Sequence, residues 1–97
     1  MNQPIACSLS ASDHAERMEQ LAGLRREALL GRSPIEGGER LVFVDAPRIE
    51  PRLRAAIDAE AACCSFLTLT LERDGHRLLL DITGPEMARP IIAELFA

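Results

Sequence analysis

The sequence predicts an α/β two-layer sandwich of element order β-α-β-α-β-β-α, a four-stranded mixed sheet with helices on one face. Three observations predict it. Short apolar runs at 5–9, 40–44, 66–72 and 77–82, three of them alternating with period two, have strand character. Stretches repeating every three to four residues separate or follow them, as amphipathic helices do. Gly, Pro and Asp-Gly punctuate the joins. A chain of 97 residues is one domain, 1–97, and the sequence shows no internal repeat.

The elements follow in order. Ile5, Cys7 and Leu9 share one face of a first strand. Ser10 or Ser12 caps a helix that Asp13 favours at its first turn and that runs to about Leu30. Its face carries Met18, Leu21, Leu24 or Arg25, Ala28 and Leu29; Gly31 is its C-cap and Pro34 prevents its resumption. A turn over Ile35–Glu39 leads to the strand Arg40–Val44. A second helix starts between Pro47 and Pro51, with Leu53, Ile57, Ala61 and Cys64 as its stripe. Phe66 to Glu72 and Arg77 to Ile82 form a hairpin about Asp74-Gly75, a type I′ signal. Met87 to Phe96 closes the fold as a helix that Pro90 delays or kinks. Ala6, Ser8, Val42, Val44, Thr68, Thr70, Leu79 and Asp81 fall on the sheet face away from the helices, a mixture suited to solvent or to a dimer.

Composition excludes several functions. Net charge is −4 and the three aromatic residues are all Phe, which argues against a nucleic-acid partner. No apolar run approaches the roughly 20 residues needed to cross a bilayer. No signal segment is visible at the N-terminus. Three cysteines without an export signal point to the reducing cytoplasm and to free thiols rather than a disulfide framework. No Ser-His-Asp order, paired carboxylates or phosphate-cradling glycine loop stands out.

The chemistry therefore rests on thiols. Cys63 and Cys64 sit together at the end of the second helix, with Glu60 one turn before them. Thiolate is the ligand of soft metals, and a carboxylate beside two thiols supplies part of a coordination shell. A helix C-terminus disfavours thiolate, so the pair needs a cation, which a soft metal provides. Cys7, just before the first helix, is the better nucleophile and a third ligand if the fold brings it near. Free cysteine is also a small core residue, and Glu60 by itself reads as a boundary residue with its carboxylate in water. His14 and His76 read as surface.

The segments Ile5-Ala6-Cys7-Ser8-Leu9, Glu60-Ala61-Ala62-Cys63-Cys64-Ser65-Phe66-Leu67 and Thr83-Gly84-Pro85 resemble a family of small bacterial proteins. That family is associated with heavy-metal, especially mercury, resistance regulators of the MerR type. The resemblance covers nearly the whole chain and implies motif roles for Cys7, Glu60, Cys63, Cys64 and Phe66. The strand-helix order is also similar to sulfur carriers of the SirA/TusA type, although their Cys-Pro-x-Pro motif is absent here. The expected function is thiol-dependent binding of a soft ion (Hg, Cu or Zn) in sensing, buffering or transfer, without covalent catalysis. A homodimer and a metal-responsive regulator are the expected partners. The alternatives are a sulfur carrier or thiol-redox protein with Cys7 as nucleophile, and an interaction domain with structural cysteines.

Overall fold

Ala28 ends a helix and Leu29 begins a strand with no loop between them, a join that organises the first half of the molecule. The computed structural model describes residues 11–97, with side-chain surroundings from Ala15 onward, Cys63 excepted. The elements are α1 (Ala11–Ala28), β1 (Leu29–Ile35), β2 (Gly38–Val44), α2 (Ile49–Cys63), β3 (Thr68–Asp74) and β4 (Arg77–Thr83). A 3-10 turn over Glu86–Ala88 then leads into α3 (Arg89–Glu94), where Pro90 sits in the first turn. The fold is α/β, with a four-stranded sheet in the order β1-β2-β4-β3 and three helices.

Every neighbouring pair of strands is antiparallel, which corrects the mixed sheet. Two hairpins supply all four strands, and β4 returns into the position between β2 and β3, so the parallel strands of the β2-α2-β3 crossover never touch. The expected strand over Ile5–Leu9 lies outside the described residues. β1 occupies the place where the sequence reads as a capped helix end. Pro34 is tolerated because β1 is an edge, and the bulge between Leu29 and Gly31 absorbs an extra residue.

Period-two alternation divides the sheet into two faces. Leu41, Phe43, Leu78, Leu80 and Ile82 are buried with Leu21, Leu24 and Ala28 of α1, Ile49, Leu53 and Ala56 of α2, and Ile92 of α3. On the other face Val42 pairs with Leu79 and Thr70 with Asp81, all half-buried or exposed. Burying a Leu or Phe side chain is worth about 1.5–3 kcal/mol, so this one cluster dominates stability.

The two halves share a plan that their residues conceal. Ile35 and Gly38 close the first hairpin as Asp74 and Arg77 close the second, and Leu41 and Leu80, equivalent in this scheme, pair directly. α1-β1-β2 and α2-β3-β4 are thus related by a pseudo-twofold axis through the sheet centre. The hairpin loop falls on Gly75-His76 rather than Asp74-Gly75, and only Gly75 takes positive φ, +64°, which a type I′ turn would require of both loop residues. Gly38 is constrained differently: a Cβ there would collide with the Ile82 carbonyl oxygen.

Arg32 holds the C-terminal segment. Its Nη1 donates to the Leu95 carbonyl at 3.0 Å, its Nη2 to the Ile92 carbonyl at 3.3 Å, and its Nε to Glu39 Oε1 at 2.7 Å. A cation on the last carbonyls of α3 satisfies groups a helix end leaves open. Phe96, at φ +60°, then packs edge-on against Phe43 with ring centroids 5.3 Å apart.

Three outcomes follow from this packing. Arg32→Met lowers unfolding stability in urea by about 1–2 kcal/mol, because charged hydrogen bonds to partly buried carbonyls are lost. Gly38→Ala costs about 2–3 kcal/mol by forcing β2 away from β4. Arg40 donates to both oxygens of Asp81, at 2.7 and 2.9 Å, and this holds the Asp81 carboxyl below its ordinary 3.8. A depressed carboxylate stabilises above its unfolded value and loses that contribution as pH falls through the folded one. The stability gap between the native chain and Asp81→Asn, small for so exposed a pair, therefore closes in acid titrations below about pH 4.

Candidate thiol site at the end of the second helix

α2 is rich in alanine, a strong helix former, and carries Pro51 in its first turn where no N–H is needed. It ends at Cys63, and Cys64 is its C-cap, with φ −124° and ψ 74°. The Cys64 N–H closes the last turn on the Glu60 carbonyl at 2.7 Å, and the Cys64 carbonyl accepts from the Leu67 N–H at 3.0 Å. Cys64 is thereby fixed between helix and strand, with its side chain wholly buried.

The buried stripe of α2 is Ile49, Leu53, Ala56, Glu60 and Cys64. Ala61, expected on that stripe, is exposed, and Ile57 is half-buried. Glu60 takes the inward position and is only 2% exposed, which corrects its reading as a boundary residue with its carboxylate in water.

A buried carboxylate needs a cation or donors. Arg17 provides them. α1 and α2 run antiparallel, bound near both ends by ion pairs: Arg17 Nη1 to Glu60 Oε2 at 2.9 Å, and Arg52 Nη1 to Glu27 Oε1 at 2.8 Å. The second pair lies in water and holds the Glu27 carboxyl low through the Arg52 hydrogen bond. The first is enclosed, with side-chain exposures of 14% for Arg17 and 3% for Glu60. The pseudo-twofold thus repeats one interaction at two depths.

Glu60 uses its two oxygens on opposite partners. Oε2 receives Arg17, and Oε1 stands 3.6 Å from Cys64 Sγ. Cys64 is disulfide-bonded, contrary to the expectation of free thiols, and its partner is a cysteine whose side chain lies outside the described residues. A disulfide sulfur carries no proton, so the approach to Oε1 is a contact in this state. The reduced thiol at the same place would donate to Glu60.

Glu60 and Cys64 are therefore brought together. Cys63 closes α2, but its side chain is outside the described residues, as are Cys7 and the His14 side chain. His76 is exposed in the β3-β4 turn, away from the site. Phe66 is half-buried against the core. Among the described residues no three His, Cys, Asp or Glu side chains gather as a metal would require. A groove of about 410 Å³ between α1 and α2, beside Gly23, Arg52 and Ala59, contains neither Cys64 nor Glu60. No described helix is long and apolar enough to cross a membrane.

Arg17 is the residue of the candidate site that sequence reasoning missed. Its signal was present: Arg17, Leu21, Leu24 and Ala28 recur at helical spacing, so a cation stands in an apolar stripe. Comparison with protein-family models, curated proteins and solved structures finds no match to the chain.

Removing one member of an enclosed pair strands the other. Glu60→Ala destabilises the fold by about 3–4 kcal/mol, and Glu60→Leu combined with Arg17→Met costs less than the two single changes added together. Urea unfolding of the native chain, Glu60→Leu, Arg17→Met and the double variant measures this coupling.

Proposed function

We propose that the chain is a thiol-dependent binding protein for a soft metal ion, Hg(II), Cu(I) or Zn(II), acting in sensing, buffering or transfer within a reducing cytoplasm. Cys63 and Cys64 supply thiolates, Glu60 orients or ligates, and Cys7 supplies a third thiolate if the fold brings it near. The observation that carries this reading is the buried Glu60 Oε1 at 3.6 Å from Cys64 Sγ. Zinc–sulfur and zinc–oxygen bonds of about 2.3 and 2.1 Å at a tetrahedral angle place their ligand atoms about 3.6 Å apart. The negative end of α2 and the Glu60 charge both oppose a bare thiolate, and a bound cation relieves that opposition. The expected metal-responsive regulator fits this reading as the protein that receives the ion or the signal.

The Cys64 disulfide favours a second reading, a thiol-redox or sulfur-carrying protein. The two differ in what the reduced chain does. Native mass spectrometry of the reduced protein, titrated with each ion, gives one ion per chain under the first reading. Cys63→Ser with Cys64→Ser abolishes that uptake while circular dichroism stays native. Uptake that survives the double substitution contradicts the metal reading. Failure of every ion to bind, with reversible oxidation by glutathione disulfide, replaces it with the redox reading.

A further inference from the structure

The two edges of the sheet are built differently. β1 carries the safeguards natural edges use: a bulge between Leu29 and Gly31, Pro34, and the charged Arg32 on the helix-side face. β3 has neither proline nor bulge along Thr68-Leu69-Thr70-Leu71-Glu72-Arg73-Asp74, and among the described residues it pairs only with β4.

Which backbone groups remain open follows from the hairpin. A two-residue loop closes on a hydrogen-bonded pair, here Asp74 and Arg77, and such pairs alternate along the ladder. Asp74, Glu72, Thr70 and Thr68 therefore turn their N–H and C=O groups toward β4. Leu69, Leu71 and Arg73 turn theirs outward, unpaired by any described strand. On the solvent side Thr68, Thr70 and Glu72 are exposed, and on the helix side Leu69 and Leu71 are only half-buried.

We propose that β3 is the seam of a twofold homodimer, joined antiparallel to β3 of a second copy into one eight-stranded sheet. The strand's own pattern argues for a copy of itself as the occupant. Centring the axis on Thr70 makes Thr70 face Thr70 as a non-hydrogen-bonded pair, which its inward-turned backbone requires. Leu69 and Leu71 then become the hydrogen-bonded pairs, facing each other across the seam so that both apolar edges extend the core. Thr68 faces Glu72 on the solvent side, and no like charges meet. Centring on Glu72 opposes two carboxylates, and centring on Leu71 sets Leu69 against Arg73, which already holds Asp45 and Glu50. Centring on Leu69 also opposes no like charges but pairs only Thr68 to Thr70 of the strand, so the Thr70 register satisfies both faces over the longer seam. It continues the sheet without using the Cys64 site, so it stands independently of the metal reading.

Sedimentation equilibrium of the full chain in reductant, which removes any intermolecular disulfide, tests the seam. The native chain dimerises, and Thr70→Lys, which opposes two ammonium groups at the axis, raises the dissociation constant at least about tenfold. Thr68→Lys places its charge opposite Glu72 of the partner subunit and leaves the constant unchanged or lower. Both positions are exposed, and circular dichroism verifies that each variant keeps the native fold. A native chain that stays monomeric at millimolar concentration overturns the proposal. So does a dimer that Thr70→Lys leaves intact, since it must use another surface or an N-terminal segment.

Discussion

A carboxylate held out of water fixes whatever surrounds it, and Glu60 is the buried carboxylate on which this molecule turns. Its Oε2 can be charged there because Arg17 reaches it from α1, which sets the antiparallel register of the two long helices. Those helices cover the leucine-rich face of the sheet, so one ion pair and one apolar cluster are mutually dependent. Its other oxygen, Oε1, faces Cys64, placing a carboxylate acceptor against a sulfur atom that is also wholly buried. Such a juxtaposition has no packing rationale, because an apolar residue at 60 would complete the same stripe without any counter-ion.

Much of this was legible in the residues, and the failures are instructive. The hairpin over β3 and β4, the thiols at the end of α2 and the late start of α3 all follow from alternation and from the positions of glycine and proline. β1 was hidden because Gly31 and Pro34 signal a helix stop as readily as an edge strand, and only the sheet order distinguishes them. The repeated αββ plan was hidden because equivalent positions differ in kind: Glu39 matches Leu78, and Val42 matches Asp81. The symmetry lives in backbone register, which side-chain comparison does not read.

The site was half legible. The neighbourhood of Glu60, Cys63 and Cys64 follows from helical spacing, but the depth of Glu60 does not, since Ala61 and Glu60 compete for the same stripe by a rotation of about 100°. The deciding clue is paired. Arg17 interrupts the stripe of α1 as Glu60 interrupts that of α2, and two opposite charges in facing apolar stripes are best accommodated together. The oxidised state of Cys64 was not legible at all, because a count of three thiols does not say which two meet.

The proposed metal binding and the alternative thiol redox chemistry would converge on the same sulfur, and only one could hold it at a time: a disulfide has no thiolate to offer a soft cation. The proposed metal site requires Glu60 and Cys64 to act together as donors in the reduced state. Zinc K-edge X-ray absorption of the reduced, zinc-loaded chain reads the ligands directly. A site built on Cys64 and Glu60 shows sulfur near 2.3 Å together with one light scatterer near 2.0–2.2 Å that disappears in Glu60→Ala. A shell without sulfur, or one unchanged by Glu60→Ala, would contradict it.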